Sequence, residues 1–435
     1  MKILFKNANM IGRNGEMHEG CNICTDGEYI FAVDTAEDIS GKHIDYEADR
    51  VINAENILII PGLYNVHTHL PATFFKGYAE DMRLEKWMFD KIFPAQDKLN
   101  DIMVYYGALL GIAEQIKNGV ISCSDMSRMP ENVLQAADES GIKINFCQAV
   151  RAFGDNAEPG RNSRFFEAKE LYKNYHNSSR GRIKIDMSIH AEFTSNADLI
   201  RAAADFSNVN GLINHTHISE TKKEHDECIA RHNMTPVEFF ECNGFFESPA
   251  IAAHCVHISG SDMEIMAEKG VTAAHCPSSN LKLGSGIARI PEMLSCGVNV
   301  AMGTDGSASN NNLDILKEMY LASVLQKGVT GNPSVMPAGD MLRLATLNAA
   351  FAQGREDCGV IEAGKKADIT ALDFNSVEAV PVYDYSAALL YSLTGSNVVL
   401  TMCDGKILYE NGEFKTVDIE KIKYKVKKMS EIYKI

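Results

Sequence analysis

The fold is decided by an apolar run that ends in two histidines, Ile57-Leu58-Ile59-Ile60-Pro61-Gly62-Leu63-Tyr64-Asn65-Val66-His67-Thr68-His69. Alternate residues of an extended strand point to the same side, so both imidazoles can reach one metal ion. The threonine between them points elsewhere. An apolar strand that ends in two such ligands is typical of the carboxyl-terminal rim of a parallel barrel, where barrel enzymes carry their chemistry.

Seven further apolar runs follow, and amphipathic segments separate most of them. The runs stand at 119–124, 143–150, 183–190, 211–218, 250–256, 271–275 and 298–302. The clearest helical segment is 97–118, whose apolar residues follow i, i+3, i+4 spacing. Eight strands that alternate with helices predict an α/β fold, a (β/α)8 TIM-type barrel. A doubly wound sheet is the alternative, but no G-x-G-x-x-G follows the first strand to support a dinucleotide site.

Both ends of the chain have strand character without a helical period. Residues 1–56 are short apolar segments broken by Gly, Asn and Asp, and the stretch from about 362 is similar. An Asn-Gly pair at 411–412 favours a tight hairpin turn there. We therefore predict a small β-sandwich domain formed by 1–56 together with 362–435, with the barrel domain spanning 57–361.

Composition excludes some partners. The 435 residues carry a formal charge of -16, which disfavours binding to nucleic acid or to an anionic membrane surface. The start is no signal peptide, and no run approaches the apolar length of a membrane span. The 11 cysteines are scattered in mostly apolar segments, which is typical of a reduced, cytoplasmic protein. A homo-oligomer is compatible with all of this.

Further ligand-type residues follow the later apolar runs. A single histidine at a strand end is more often a hydrogen-bonded core residue than a ligand. Eight of the 13 histidines at such positions, together with an aspartate, are hard to explain by chance. A barrel brings distant strand ends onto one face. These residues are His67, His69, His190, His215, His217, His254, His257, His275 and Asp305.

A catalytic metal site needs a few nitrogen or oxygen ligands, a nearby carboxylate that moves protons, and a group that orients the attacking water. Glu220 is the candidate for the mobile carboxylate, and His254 is the candidate for the orienting group. The ligand candidates are His67, His69, either His215 or His217, and Asp305. Spacing alone does not choose between the two histidines of the fifth run.

These motifs resemble those of the amidohydrolase superfamily. Within it the chain resembles the deaminase and chlorohydrolase branch, and most of all the 5-methylthioadenosine/S-adenosylhomocysteine deaminases. The segments that carry the likeness are Pro61-Gly62-Leu63-Tyr64-Asn65-Val66-His67-Thr68-His69, Glu220 after His217, Ala253-His254-Cys255-Val256-His257, and Gly303-Thr304-Asp305-Gly306-Ser307-Ala308-Ser309-Asn310-Asn311. Supporting segments are Lys76–Asp81, Glu85–Phe89 and Pro277–Ala288.

The resemblance implies a hydrolytic deaminase that releases ammonia from an amino-substituted N-heterocycle. It implies one divalent metal ion, zinc or ferrous iron, as cofactor. The family pattern selects His217 over His215. The implied metal ligands are His67, His69, His217 and Asp305, and the implied catalytic residues are Glu220 as proton shuttle, His254 as partner of the catalytic water and Asp305 as proton acceptor.

The resemblance also implies substrate contacts. His190 would touch the substrate, as would arginines in the region of Arg151, Arg161 and Arg164. Gln96 stands where the adenosine-type relatives carry a glutamate for both ribose hydroxyls, and an amide offers one acceptor and one donor group instead. An adenosine-type substrate is expected. The alternatives are a deaminase or chlorohydrolase of a guanine, pterin, cytosine or triazine, and a non-catalytic scaffold, which the complete ligand set disfavours.

Overall fold

The computed structural model describes residues 1–35, 47–152 and 157–433. The strands are β1 Lys2–Ile11, β2 Met17–Asp26, β3 Tyr29–Asp34, β4 Arg50–Asn53, β5 Ile57–Pro61, β6 Leu63–Thr68, β7 Val120–Ser127, β8 Lys143–Gln148, β9 Ile183–Ile185, β10 Met187–Ala191, β11 Asn214–Ile218, β12 Ala250–His254, β13 Thr272–His275, β14 Asn299–Met302, β15 Ile369–Asp373, β16 Val398–Cys403, β17 Lys406–Glu410 and β18 Glu413–Phe414.

The α-helices lie mostly between the strands of the middle of the chain. They are α1 Leu84–Lys86, α2 Phe93–Gln96, α3 Asp101–Lys117, α4 Pro130–Ser140, α5 Ser163–Tyr175, α6 Ala197–Asn210, α7 Lys222–His232, α8 Pro236–Cys242, α9 Gly260–Glu268, α10 Pro277–Lys282, α11 Ile290–Ser295, α12 Ser307–Asn310, α13 Ile315–Thr330, α14 Ala338–Ala345, α15 Leu347–Ala352, α16 Tyr385–Tyr391 and α17 Ile419–Met429. A π-helical turn, Trp87–Ile92, joins α1 to α2. Short 3-10 turns lie at Leu70–Phe75, Pro159–Arg161, Ser179–Gly181, Glu192–Thr194, Gly395–Asn397 and Ser430–Tyr433.

Helix α3 shows how the sequence sets these elements. Its apolar residues repeat at helical spacing, and most of them are buried, such as Leu109, Ile112 and Ile116, while Ile102 is exposed. Asn100 caps its start, because the side-chain oxygen accepts the Met103 N–H at 3.1 Å. The helix corresponds to the segment predicted at 97–118.

The parallel strands of the middle form two sheets. One has the order β6-β7-β8-β9 and the other has the order β10-β11-β12-β13-β14. All the pairs within them are parallel, and helices connect most of the strands, which confirms the predicted α/β alternation. The fourth predicted run divides at Asp186, so that β9 pairs with β8 while β10 pairs with β11.

Hydrogen bonds link the two parallel sheets at both edges. On one edge the N–H of His190 in β10 donates to the carbonyl of Val150, just after β8, at 3.0 Å. On the other edge the Asp305 N–H donates to the His67 carbonyl at 3.0 Å. Asn65 adds a side-chain contact there, because its Oδ1 accepts the Thr304 N–H at 3.0 Å. The ends of β6 and β14 are thereby held side by side.

The first apolar run does not form one strand. It breaks at Gly62, so that β5 joins a different sheet from β6. A Cβ at Gly62 would lie 2.4 Å from Ile121 Cγ1, closer than any side chain allows. Glycine therefore lets the chain pass tightly against β7 as it moves from one sheet to the other.

Strands from both ends of the chain share one mixed sheet. Within the described residues its order is β18-β17-β16-β15-β5-β1-β2-β3, with β4 also paired to β1. Buried Lys143 of β8 connects this sheet to the parallel strands through Asp368 and through Asp404 at 2.8 Å. Across residues 1–35, 47–152 and 157–433, the helices all fall short of the length and apolar character needed to cross a membrane.

Candidate active site

The ends of β6 and β11 bring three imidazoles together at the carboxyl-terminal rim of the parallel strands. Ring nitrogens of His67, His69 and His217 all lie within 4.8 Å of one another. Asp305, just after β14, places Oδ1 3.5 Å from His67 Nε2 and 3.3 Å from His69 Nε2. Three nitrogens and one carboxylate oxygen from distant parts of the chain thus face one point.

The tautomers of two of these histidines follow from their partners. His69 Nδ1 lies 2.5 Å from the Met126 carbonyl, and His217 Nδ1 lies 2.6 Å from the His190 carbonyl. A carbonyl oxygen only accepts, so each Nδ1 donates its proton and each Nε2 is left bare. Second partners of this kind are typical of metal-binding histidines.

Burial keeps two of the rings neutral, which is the form that binds metal. It lowers the pKa of His67 to about 4 and the pKa of His217 well below its ordinary value. At His69 burial also lowers the pKa, but the Asp305 carboxylate outweighs it and the net pKa is raised. His67 Nε2 is buried and has no hydrogen-bond partner among the described residues. The donor set and this orphaned nitrogen fit a divalent ion such as zinc.

Asp305 is held by donors on its other side. Its Oδ2 accepts the hydroxyls of Ser279 at 2.7 Å and Ser309 at 2.5 Å, and its Oδ1 accepts the Gly306 N–H at 2.7 Å. Burial alone would raise the pKa of Asp305. The imidazoles of His67 and His69 outweigh this effect and hold the pKa well below its usual range. The residue has φ 58°, a left-handed conformation that is uncommon outside functional sites.

His215 lies beside this cluster on the far side of His67. Its Nε2 is 3.0 Å from His67 Nδ1, so it contacts the back of that ring. His275 is buried, and its ring nitrogens have no partner in the described part of the chain. The side chain of His257 is directed elsewhere: its Nε2 contacts the Ser285 carbonyl at 2.7 Å. The geometry therefore favours His217 over His215 as the candidate metal ligand from the fifth apolar run.

Glu220 and His254 meet beside the imidazole cluster. Glu220 Oε2 is 3.7 Å from His254 Nε2, and Glu220 Oε1 accepts the Ser285 hydroxyl at 3.0 Å. His254 Nδ1 lies 2.8 Å from Asn280 Oδ1. Burial raises the pKa of Glu220, which favours a carboxyl group that can hold a proton.

A cavity of about 1100 Å³, counting its open mouth, lies above these groups. The predicted residues Gln96, Arg151 and His190 line it, as do His69, His217, Glu220, His254 and Asp305. Apolar side chains such as Trp87 and Phe93 form much of the remaining wall. The site is therefore a mostly apolar pocket with polar groups gathered at one end, which suits a flat heterocycle.

Arg151 is an unusual part of this wall. Its guanidinium lies over the Phe93 ring, 4.2 Å from the centroid, and its Nε is buried without a partner among the described residues. Burial, with the nearby charges of Arg164 and Arg128, lowers the pKa of Arg151 to about 9. A buried cation in this setting favours an electron-rich or anionic ligand group.

Arg161 is not brought to the cavity. Its side chain is 73% exposed and pairs with Glu158 at 3.5 Å. Arg164 also lies outside the lining and donates to the Ala149 carbonyl at 2.9 Å. Arg161 begins a polar, charged stretch ahead of α5, and that character places it in solvent.

Sequence reasoning missed Glu224 and Arg128, which both line the cavity. Glu224 accepts the N–H groups of Ser219 at 3.0 Å and Glu220 at 2.8 Å. Burial and the adjacent Glu220 raise the pKa of Glu224 to about 8. The Thr221-x-x-Glu224 spacing is typical of a helix capping box. That pattern explains the glutamate without a functional role, so nothing in the sequence was a reason to expect its contact with Glu220. Arg128 follows β7 directly, and its position at a strand end was the available signal.

Parallel strands alternating with helices, with candidate ligands at one rim, define a TIM-barrel-type α/β protein. The chain belongs to the amidohydrolase family, whose model matches residues 58–408. This confirms the resemblance inferred from the motifs.

Several known proteins are similar over nearly the whole chain. The chain is 40% identical over 434 residues to a 5-methylthioadenosine/S-adenosylhomocysteine deaminase of Acetivibrio thermocellus, covering 99% of each. It is 37% identical over 392 residues to a 5'-deoxyadenosine deaminase of Methanothermobacter thermautotrophicus, covering 90% of this chain and 91% of that one. The crystal structure of an adenosine deaminase from Xanthomonas campestris with bound zinc has a TM-score of 0.93 at 25% identity, covering 99% of this chain and 98% of that one.

Proposed function

We propose that this protein is a metal-dependent hydrolytic deaminase of an adenosine-type compound, acting in nucleoside metabolism. The observation that carries the proposal is the meeting of three imidazoles and Asp305 beside the Glu220–His254 pair, at the polar end of an apolar cavity. The deaminase names of the full-length relatives support the same reaction. Hydrolysis of a C–N bond in a cyclic amidine needs those elements: activated water, a proton carrier and a dry pocket.

His67, His69, His217 and Asp305 would hold one divalent ion, zinc or iron. Their neutral ring nitrogens and the single carboxylate suit either metal. When bound, such an ion supplies Lewis-acid activation of water near neutral pH. Asp305 Oδ1 lies 3.5 Å from His67 Nε2 and 3.3 Å from His69 Nε2, so these three atoms could all reach one ion.

The chain's own groups would carry the protons. Glu220 Oε2 points toward His254 and away from Ser285, so it is free to protonate a ring nitrogen of the substrate and later the departing ammonia. Its raised pKa lets it give and take a proton at modest cost. His254 Nε2 would orient the attacking water, and Asp305 would accept the proton that the water loses.

The substrate would lie across the cavity, with its amino-bearing ring at the polar end. His190 would contact the ring, because its Nδ1 is engaged by Thr194 at 3.2 Å and its other face lies toward the cavity. Arg151 and Gln96 would contact the remainder of the molecule. Gln96 offers one acceptor oxygen, so we propose weak recognition of a ribose diol. The predicted substrate contact of Arg161 stays a prediction, and the exposed position of its side chain does not support it.

We further propose that the parallel strands from β6 to β14 form a closed eight-stranded barrel, with β9 and β10 as one interrupted strand, and that the strands of 1–56 and 362–435 form a β-sandwich domain. Because β5 pairs with β1 and β15, the boundary predicted at residue 57 moves to Gly62. Links between the two parallel sheets at both edges support closure. A second apolar cluster supports the sandwich, because it gathers Ile3, Phe5, Ile369 and Met402 from both chain ends.

The test is a screen for ammonia release by zinc-loaded protein. Substrates would include adenosine, 5'-deoxyadenosine, 5-methylthioadenosine, S-adenosylhomocysteine, guanine, a pterin and an aminotriazine. We expect turnover to be fastest with an adenosine-type compound. Absence of ammonia release from every compound, with zinc shown to be bound, would refute the proposed function.

A further inference from the structure

One short segment contacts each of the proposed proton-handling groups. It runs from Ser279 to Ser285, through the second half of α10 and into the glycine loop that follows this helix. The Ser279 hydroxyl donates to Asp305 Oδ2 at 2.7 Å. Six residues later in the chain, the Ser285 hydroxyl donates to Glu220 Oε1 at 3.0 Å.

The residue after Ser279 completes the set. Asn280 Oδ1 lies 2.8 Å from His254 Nδ1. The amide oxygen only accepts, so His254 donates from Nδ1 and its Nε2 is left as an acceptor. Asn280 therefore sets both the ring orientation and the tautomer of His254.

These three contacts have a common consequence. Each engages an atom other than the one that would act in the reaction. Asp305 keeps Oδ1 toward the imidazole cluster, and Glu220 keeps Oε2 toward His254. At Asp305 the Ser279 hydroxyl shares Oδ2 with the Ser309 hydroxyl, so the two serines together hold that oxygen away from the imidazoles. At Glu220 the Ser285 hydroxyl donates to Oε1 and thereby fixes which oxygen faces His254.

The segment itself is anchored at several points. Lys282 Nζ pairs with Glu80 Oε2 at 2.6 Å and donates to Asn311 Oδ1 at 3.0 Å. Buried Glu318 of α13 accepts the Ser278 N–H at 3.0 Å. These contacts hold the segment against the loops that follow β6 and β14. The serine and asparagine donors and acceptors are therefore held in position relative to the site.

We propose that Ser279, Asn280 and Ser285 are positioning residues that orient the three proton-handling groups of the site. Ser279 acts through Asp305, and Ser285 acts through Glu220. The expected changes in kcat and KM rest on the proposed function. It predicts separable effects, because Asp305 is a proposed metal ligand and Glu220 is not.

The test compares Ser279→Ala with Ser285→Ala in purified full-length protein. Zinc affinity is measured without substrate, by competition with a chelator, and kcat and KM are measured on the best substrate of the screen. Ser279→Ala should weaken zinc binding about tenfold, because loss of a hydrogen bond behind a ligand typically costs that much. Ser285→Ala should leave zinc affinity within about twofold and lower kcat roughly 10- to 100-fold with little change in KM. Asn280→Ala should behave as Ser285→Ala does.

Ser307→Ala is the matched control. Ser307 is buried in the same region, and its hydroxyl has no hydrogen-bond partner among the described residues. It should leave zinc affinity and kcat within about twofold. If Ser285→Ala fails to fold, Ser285→Cys keeps the volume with a weaker donor and should show the same pattern at smaller size. If Ser279→Ala fails to fold, Ser279→Gly removes the same hydroxyl without adding a thiol that could bind zinc.

Two results would overturn the proposal. One is that Ser279→Ala and Ser285→Ala have equal effects on zinc affinity. The other is that both match Ser307→Ala in zinc affinity and kcat. If wild-type protein deaminates nothing in the screen, the proposed function fails, while the zinc measurement still decides whether Ser279 positions Asp305.

Discussion

Replacing Glu220 by glutamine removes a proton carrier while keeping its shape. The glutamine oxygen can still accept the Ser285 hydroxyl, which now lies 3.0 Å from Glu220 Oε1. The amide nitrogen would occupy the position of Oε2, 3.7 Å from His254 Nε2, where it cannot take up or deliver a proton. Loss of general acid–base catalysis typically lowers kcat by about 10²- to 10⁴-fold, or roughly 3–5 kcal/mol of activation free energy. We expect a loss in that range for Glu220→Gln.

The same substitution should not destabilise the fold. Burial raises the pKa of Glu220 above its unfolded value, so the folded state favours the protonated carboxyl group. Its contribution to stability is present below the unfolded pKa and is lost as pH rises through the folded pKa. Glutamine is neutral at every pH, so the variant should equal or exceed the wild type in free energy of unfolding at neutral pH.

The assay measures initial rates of ammonia release, zinc content and thermal unfolding on the same protein batches. Zinc content must match the wild type, because Glu220 is not a proposed ligand. Near-native kcat in zinc-loaded Glu220→Gln protein would contradict the shuttle role. A large drop in Tm with unchanged kcat would show that the carboxylate serves the fold instead.

Three further substitutions test the pocket, the link between the sheets and a buried acid. Gln96→Glu should raise the ratio of kcat/KM for adenosine over 2'-deoxyadenosine roughly tenfold, because a carboxylate accepts from two hydroxyls. Lys143→Met should lower the free energy of unfolding by about 3–5 kcal/mol in urea titrations, because it leaves buried Asp368 without its cation and leaves Asp404 with only the Lys366 ammonium, 3.8 Å away. Asp186→Asn should make stability less dependent on pH. Burial raises the pKa of Asp186 from 3.8 to about 7, so wild-type stability is lost as pH rises between these values, by at most about 4 kcal/mol.

Each of these predictions has a control. An unchanged substrate ratio in Gln96→Glu would exclude a diol contact at that position. Lys173→Met removes an exposed pair with Glu170 and should cost at most about 1 kcal/mol. An equal loss in both lysine variants would mean that the buried network is unimportant. Asp198→Asn removes an exposed pair with Arg201 and should change the free energy of unfolding by at most about 1 kcal/mol.

Local spacing predicted two pairs of histidines that each face one side of a strand, but it did not choose between His215 and His217. His67 and His69 are two residues apart on one strand, as are His215 and His217, and period-two geometry puts each pair on one side. Their ring centroids confirm that they cluster, with 4.9 Å between His67 and His69 and 4.8 Å between His67 and His217. The alternation of strands and helices was readable for the same reason, because it depends on short-range periodicity.

The features that depend on contacts between residues far apart in the chain could not be predicted from the sequence. The break at Gly62 follows from close approach to Ile121, which is far along the chain. The partners of Ser279 and Ser285 lie 26 and 65 residues away, and no local pattern marks a serine as a donor to a carboxylate. The exposure of Arg161 was equally hidden, since its neighbours and not its identity place it in solvent.

The pairing of β5 affects how the chain folds as it leaves the ribosome. On one side β5 contacts β1, which is made first, but on the other it pairs with Ile369–Asp373. About 300 residues separate these partners, so at 5–20 residues per second the free edge waits roughly 15–60 s for its neighbour. An apolar edge exposed for that long invites aggregation. Overexpression at lower temperature, or with a chaperone that shields such edges, should therefore raise the yield of native protein.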